Sequence, residues 1–136
     1  MKLRHLRIEN FRGIKELDLD LGDTTVLIGE NNTGKTTVLD ALTFALRDVR
    51  SRRVCAFDPY DFHLPTATST PSSAPQIRLE LTFREDKPGE WGDDCRSRLT
   101  RAGIFQLGEQ DRGVVRLQVT AQYSENENAF GQDWQF

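Results

Sequence analysis

Apolar and polar residues alternate along the first 21 positions of this 136-residue chain. Leu6 and Ile8 are separated by a charged residue, and the alternation resumes after a break at Arg12-Gly13. A period of two is typical of a strand with one buried and one solvated face. Because glycine between two such runs favours a turn, the pattern predicts an antiparallel hairpin over residues 3–21.

The next two segments have different patterns. Thr24 to Ile28 is a nearly continuous apolar run, which predicts a central strand covered on both faces. Farther along, apolar residues recur at the spacing i, i+4, i+7, i+8 and i+11, at Val38, Leu42, Ala45, Leu46 and Val49. This spacing predicts an amphipathic helix from Lys35 to about Asp48 that packs on a sheet.

The second half of the chain begins with a stretch rich in proline, serine and threonine, residues 58–75, which predicts an irregular loop. Alternation at residues 77–84 and again at 115–123 predicts two strands of an antiparallel extension that spans 76–136. A short helix is predicted near Asp94 to Arg101, and the polar tail from Ser124 has no clear pattern. The predicted fold class is α/β, with residues 1–57 supplying strands, loop and helix.

The candidate chemistry lies between the predicted central strand and the predicted helix. The residues there read Gly29-Glu30-Asn31-Asn32-Thr33-Gly34-Lys35-Thr36, which is the phosphate-binding pattern G-x-x-x-x-G-K-[ST]. A loop of this kind turns backbone N–H groups toward phosphates at the positive end of a helix. The order strand, loop, helix is the context in which the pattern binds a nucleoside triphosphate.

Each position of this phosphate loop has a physical role. Gly29 permits the tight turn out of the strand, and Gly34 lets the backbone approach the phosphates without a Cβ atom. Lys35 places a compact cation between the β- and γ-phosphates, and Thr36 offers its hydroxyl to Mg²⁺. The predicted cofactors are ATP and Mg²⁺, with Thr36 as the metal ligand. The predicted nucleotide-binding residues are Gly29, Asn31, Asn32, Thr33, Gly34, Lys35, Thr36 and Thr37.

Hydrolysis needs more than this loop. It requires an acidic residue at a strand end and a group that positions the attacking water. The expected motif is an apolar run closed by Asp or Asp-Glu, and the alternating segment from Leu17 to Asp20 does not match it. No stretch resembles the serine-glycine signature that completes such sites from a partner subunit. We therefore assign no catalytic residue to this chain.

Composition narrows the possible partners and location. A net charge of -3 does not suggest a protein that coats nucleic acid, so a DNA contact requires a local patch. No apolar run approaches the roughly 18 residues of a membrane span, and the N-terminus has no secretory pattern. Cys55 and Cys95 stand alone, and His5 and His63 lack ligand neighbours. These features predict a cytoplasmic protein with reduced thiols and no membrane partner.

Two stretches carry a family resemblance. The first reads Leu6-x-Ile8-x-Asn10-Phe11-Arg12-Gly13-Ile14, and the second reads Leu27-Ile28-Gly29-Glu30-Asn31-Asn32-Thr33-Gly34-Lys35-Thr36-Thr37-x-Leu39-x-Ala41-Leu42. Together they resemble the ABC-type ATPase head of SMC, RecF and OLD (overcoming lysogenization defect) proteins. A later stretch consists of Asp61-Phe62, the proline-rich loop and Ile77-x-Leu79-x-Leu81-x-Phe83-Arg84-Glu85. This stretch is most similar to OLD-family ATP-dependent endonucleases.

The resemblance implies a P-loop NTPase fold, of which this chain is the N-terminal lobe, and a parent protein with a downstream Toprim nuclease domain. It implies heads that pair around ATP in a homo-oligomer, and a nucleotide state that regulates DNA cleavage in phage defence or DNA repair. By the same resemblance, Arg12 reaches toward the nucleotide phosphates. Two alternatives stay open: an SMC- or RecF-like DNA repair ATPase without a nuclease, and a nucleotide-binding interaction module that hydrolyses nothing.

Overall fold

Six strands form one antiparallel sheet in the part of the chain that the structure, a computed structural model, describes: residues 1–30, 34–47, 57–66, 68–124 and 129–136. The strands are β1 (Lys2–Phe11), β2 (Ile14–Asp20), β3 (Ile77–Arg84), β4 (Gln106–Leu107), β5 (Gly113–Ser124) and β6 (Ala129–Gln135). The α-helices are α1 (Lys35–Arg47) and α2 (Gly92–Arg101), and short 3-10 helices lie at Pro59–Asp61, Pro71–Ser73 and Glu109–Asp111.

The predicted hairpin is confirmed as β1 and β2, with Leu6 opposite Leu19 and Ile8 opposite Leu17. The other edge of β1 pairs with β3, and β3 pairs with β5. The sheet order is therefore β2-β1-β3-β5-β4, and β6 also pairs with β5. The predicted strands of the antiparallel extension are confirmed as β3 and β5. They continue the same sheet as the hairpin, because β3 lies directly beside β1.

One face of the sheet carries the hydrophobic core. Alternate strand residues are buried on this face, among them Leu6, Ile8, Ile77, Leu79, Leu81, Leu117 and Val119. The predicted amphipathic helix is confirmed as α1, which packs on this face with Val38, Ala41 and Ala45. Of the predicted apolar stripe, Leu46 is 51% exposed instead, and Val49 lies outside the described residues. Each fully buried aliphatic side chain of this size stabilises the folded state by about 1.5–3 kcal/mol relative to exposure.

The predicted central strand at residues 24–28 is wrong for this structure. The segment is not in a strand, and Val26 and Ile28 are 72% and 92% exposed. A strand forms only when a neighbouring strand takes up its backbone hydrogen bonds. Among the described residues no strand pairs with this segment, although it follows β2 at the edge of the sheet. The apolar run therefore lies exposed on the surface of this chain.

A strand that the hydrophobic pattern does not predict lies in the polar tail. β6 pairs along the second half of β5, from Gln118 opposite Gln135 to Ser124 opposite Ala129. Within this strand only Trp134 is buried. Its pairing is supplied by backbone hydrogen bonds to β5, and these leave little trace in the order of apolar and polar side chains.

A buried carboxylate connects α2 to the sheet. Glu85 follows β3 and is 0% exposed. Its Oε1 accepts hydrogen bonds from the backbone N–H of Trp91 at 2.8 Å and from Nε of Arg96 in α2 at 3.1 Å. Its Oε2 accepts from the backbone N–H of Gly113 at 2.7 Å and forms an ion pair with Nη2 of Arg96. The predicted helix near residues 94–101 is thus confirmed as α2 and held by this residue.

Candidate functional site

The described part of the phosphate loop comprises Gly29, Glu30 and residues 34–37, while the predicted Asn31, Asn32 and Thr33 lie outside the described residues. Gly34 adopts a φ of +86°, a left-handed conformation that glycine reaches without a steric cost. Its carbonyl accepts the backbone N–H of Val38 at 3.0 Å, which is the first hydrogen bond of α1. The helix therefore begins directly at the end of the loop.

The start of α1 has the features of an anion site. Backbone N–H groups in the first turn of a helix have no partner within the helix, and they lie at its positive end. The first turn of α1 contains no acidic residue that could occupy this end. Thr36 is exposed at the beginning of the helix, and Thr37 is half-buried next to it.

The Lys35 side chain folds back over the loop. Its ammonium donates to the carbonyl of Gly29 at 2.6 Å and also to the carbonyl of Glu30. Both acceptors are neutral carbonyls at the entrance of the loop. A phosphate oxygen carries charge and forms a stronger hydrogen bond with an ammonium than a carbonyl does. The observed arrangement therefore keeps the ammonium at the place where a phosphate would compete for it.

A cleft of about 640 Å³ lies between the loop and the hairpin. This volume is within the range of small-molecule sites. One wall is formed by the β1–β2 turn and β2, and the other by the exposed apolar segment, the loop and α1. The lining residues are Gly13, Ile14, Lys15, Glu16, Leu17, Leu19, Val26, Leu27, Ile28, Gly29, Gly34, Lys35 and Val38. The structure thus brings Gly29, Gly34 and Lys35 to one cleft.

Arg12, the remaining predicted site residue, lies in the β1–β2 turn with a positive φ of 50°. Its Nε donates to Asp61 at 2.8 Å, and its Nη1 forms an ion pair with Asp40 of α1. The guanidinium carbon also lies over the rings of Phe11 and Phe44, at 5.1 and 5.8 Å from their centres. Burial opposes the charged form, but hydrogen bonds to Asp61 and Asp40 outweigh it and raise the pKa of Arg12.

The segment that carries Asp61 is attached to the end of β1 through its backbone. The N–H of Arg12 donates to the carbonyl of Asp61 at 2.7 Å, and the N–H of His63 donates to the carbonyl of Asn10 at 3.0 Å. The Asp61 side chain accepts the backbone N–H of Asp58 at 3.0 Å and closes a capping box. Sequence reasoning did not assign a site role to Asp40 or Asp61. The resemblance at Asp61-Phe62 was the signal that pointed to this segment.

Within the described residues there is neither a cluster of metal-ligating side chains nor a membrane-spanning helix. No group of three or more His, Cys, Asp and Glu side chains is close enough to hold a metal ion there. Nε2 of His5 lies 2.7 Å from Oδ1 of Asp18, and Nδ1 of His63 lies 2.8 Å from the carbonyl oxygen of Arg12. No described helix has the length and apolar character needed to cross a membrane.

We expect Gly34→Ala to lower the free energy of unfolding by about 1 kcal/mol, because an alanine is strained at a φ of +86°. A matched control is Gly131→Ala in β6, where a Cβ would meet no atom within 4 Å and φ is not in the left-handed region. Urea unfolding of the two variants measures the difference. Equal stabilities of both variants would contradict the strained geometry assigned to Gly34.

The chain matches a protein family over nearly all of its length and is similar to several named proteins. A family model described as "Protein of unknown function (DUF2813)" matches residues 1–134. The chain is 39% identical over 89 residues to the uncharacterized protein YbjD of Escherichia coli, an alignment that covers 65% of this chain and 16% of YbjD. It is 42% identical over 64 residues to the OLD nuclease of Thermus scotoductus, covering 44% of this chain and 11% of the nuclease.

A third relative is the DNA replication and repair protein RecF of Chlamydia caviae, which is 39% identical over 87 residues. That alignment covers 63% of this chain and 21% of RecF. The aligned regions thus make up between 11% and 21% of the length of these three relatives. The resemblance to OLD and RecF proteins is confirmed, and the chain belongs to the DUF2813 family, which is found in OLD- and RecF-like ATPases.

Proposed function

We propose that this chain binds ATP with Mg²⁺ at the phosphate loop and is the nucleotide-binding lobe of a P-loop ATPase head. The observation that carries the proposal is the start of α1. A left-handed Gly34 opens the helix, the first turn has no acidic residue, and the Lys35 ammonium rests on two neutral carbonyls beside a cleft. These features favour an anion at this position.

The loop residues have distinct roles in this proposal. The N–H groups from Asn32 to Thr37 face the phosphate oxygens, and Thr37 lies near the α-phosphate. Gly29 forms the turn into the loop, and Lys35 neutralises the β- and γ-phosphates. Thr36 is a ligand of Mg²⁺, which balances the remaining charge of the triphosphate. Arg12 supplies a second cation to the phosphates from the hairpin turn.

For the parent protein we propose an OLD-like, cytoplasmic ATP-dependent DNA endonuclease, active as a homo-oligomer in phage defence or DNA repair. The relationship to the Thermus scotoductus OLD nuclease supports this reading. A DNA repair ATPase without a nuclease is the second candidate, favoured by the relationship to RecF. Catalytic residues for either activity belong to other parts of such a protein. A DNA cleavage assay on the full-length parent separates the two candidates.

The metal role of Thr36 is tested by Thr36→Val, which replaces the hydroxyl with a methyl group of similar size. We expect Mg²⁺ to strengthen ATP binding to the wild-type chain and to have about tenfold less effect in this variant, since a metal ligand is lost. Thr43→Val is the matched control, because its hydroxyl donates within α1 to the carbonyl of Leu39 at 2.9 Å. Titrations with ATP, with and without Mg²⁺, provide the measurement. An unchanged Mg²⁺ effect in Thr36→Val would refute the metal assignment.

A further inference from the structure

The Arg12 guanidinium has two carboxylate partners that differ in how firmly they are held. Asp61 is 2% exposed, and its second carboxylate oxygen accepts the backbone N–H of Asp58. The Asp40 side chain is 37% exposed on α1, and among the described residues Arg12 is its hydrogen-bond partner. A carboxylate fixed by several bonds resists displacement, whereas an exposed pair is weak and exchanges with solvent or another anion.

The third nitrogen of the guanidinium, Nη2, has no acceptor among the described residues. Arginine presents its N–H donors in a fixed fork, so a group that holds Nε also sets the direction of the other two nitrogens. Asp61 at Nε therefore orients the fork. The contacts of the guanidinium carbon with the rings of Phe11 and Phe44 restrain its position further.

This arginine lies in the hairpin turn that forms one wall of the phosphate-loop cleft. Arg12 itself is not among the residues that line the cleft, but Gly13, the next residue, lines it together with Gly34 and Lys35. Asp40 follows Lys35 by five residues, which corresponds to about 7.5 Å along the axis of α1. An anion bound at the start of α1 and the Asp40 carboxylate would thus approach the Arg12 fork from the same helix.

We propose that Asp61 is a positioning residue that holds Arg12 toward the phosphate loop, and that Asp40 is a carboxylate that nucleotide phosphate displaces from Arg12. This inference rests on the proposed function, because it requires a phosphate at the loop. Asp61 stays bound to Nε in both states. Asp40 competes with the phosphate for Nη1, and its negative charge opposes an anion at the start of its own helix.

The two carboxylates then have opposite effects on nucleotide affinity. We expect Asp40→Asn to tighten ATP binding about threefold to fivefold, because it removes a competitor whose ion pair is partly exposed. We expect Asp61→Asn to weaken binding about tenfold, because the amide can no longer accept from both Arg12 and Asp58. Calorimetric titration with ATP and Mg²⁺ measures both. If both carboxylates were merely structural, the two substitutions would act in the same direction.

Asp18→Asn is the matched control for charge. It removes one negative charge from β2 at a residue that does not line the cleft, and its carboxylate, 53% exposed, pairs with Nε2 of His5 at 2.7 Å instead of with Arg12. We expect less than a twofold change in affinity for this variant, since exposed charges are screened. Tightening by Asp18→Asn equal to that by Asp40→Asn would overturn the competition. Weaker binding by Asp40→Asn would also overturn it, and this variant decides the question even if Asp61→Asn fails to fold.

The outcomes separate this inference from the proposed function. Wild-type chain that binds ATP, together with loss of binding in Lys35→Ala, establishes the site. If Asp40→Asn and Asp61→Asn then leave affinity unchanged, only the roles of the two carboxylates fall. If the wild-type chain binds no ATP, the proposed function falls and the carboxylate roles fall with it.

Discussion

Lys35→Ala is expected to weaken ATP binding by about 100-fold while leaving the fold unchanged. The Lys35 ammonium lies on the carbonyls of Gly29 and Glu30 at the entrance of the loop. A triphosphate at the start of α1 would exchange these neutral acceptors for charged oxygens, and its charge would lose its nearest cation in the variant. Because the substitution shortens a half-buried side chain without opening the core, the thermal unfolding midpoint should change little.

The matched control is Lys87→Ala. Lys87 is exposed in the turn after β3 and does not line the cleft. Its loss changes the net charge by the same amount, so we expect less than a twofold change in affinity. Calorimetric titration with ATP and circular dichroism of both variants supply the two readouts. Lys35→Ala that binds ATP as tightly as Lys87→Ala would refute the assignment of the loop.

Glu85→Ala is expected to lower the free energy of unfolding by about 3 kcal/mol. The substitution removes the acceptor of two backbone N–H groups, those of Trp91 and Gly113, and leaves Arg96 without its carboxylate. Buried donors without acceptors cost free energy because they have lost their hydrogen bonds to water. Urea unfolding measures the change.

The control for this prediction is Glu16→Ala on β2. Its side chain is 63% exposed, and its ion pair with Arg7 has a distance of 3.1 Å. An exposed pair of this kind contributes little, so we expect a loss below about 0.5 kcal/mol. Equal losses in both variants would show that Glu85 does not anchor α2 and the start of β5.

Glu85 also makes the free energy of unfolding depend on pH. The hydrogen bond from Arg96, together with those from the Gly113 and Trp91 N–H groups, outweighs burial and lowers the pKa of Glu85 from 4.5 to about 2. Above pH 4.5 the group is ionised in both the folded and the unfolded chain, and its stabilisation is fully present. As pH falls from 4.5 toward 2, the unfolded chain takes up a proton that the folded chain excludes, and stability declines.

Glu85→Gln should flatten this decline, since it removes the group that titrates. The comparison with the wild-type chain is necessary because Asp86, held by Arg4 and Lys2, also has a pKa lowered to about 2 and contributes in the same direction. Urea unfolding at several pH values between 2 and 6 gives the slope of the free energy of unfolding against pH for the wild-type chain and for Glu85→Gln. Identical slopes for the two proteins would contradict the ionised, hydrogen-bonded state of Glu85.

The elements that the sequence predicts correctly are those whose pattern is set by burial on one face. β1, β2, β3 and β5 each show alternating burial, and α1 buries residues at helical spacing. In these segments the partner that buries the apolar side chains lies within the described chain. Local pattern and tertiary contact therefore agree.

The errors arise where structure depends on a partner that the local pattern does not specify. The apolar run at residues 24–28 has the composition of a buried strand, but among the described residues it pairs with no strand. β6 is the opposite case, a polar segment that becomes a strand because β5 extends far enough to pair with it. In both cases the position of a neighbouring strand decides the outcome.

The candidate site shows the same division. The motif predicts the position of the loop and the start of α1, because its glycines act on the local backbone. The carboxylates around Arg12 could not be predicted this way. Asp40 resembles a solvated helix residue, and Asp61 lies in a proline-rich segment 49 residues beyond Arg12. Asp61 contacts Arg12 because this segment is hydrogen-bonded to the end of β1, and Asp40 contacts it because α1 packs on the sheet.

The most direct test of the nucleotide site is an amide NMR titration of the ¹⁵N-labelled wild-type chain with MgATP and, separately, with adenosine. Binding of phosphate at the start of α1 predicts that the amide signals of Gly34, Lys35, Thr36 and Thr37 shift with MgATP and stay unchanged with adenosine at the same concentration. Shifts of equal size with both ligands, or shifts confined to residues away from α1, would contradict the proposal that this loop holds the phosphates.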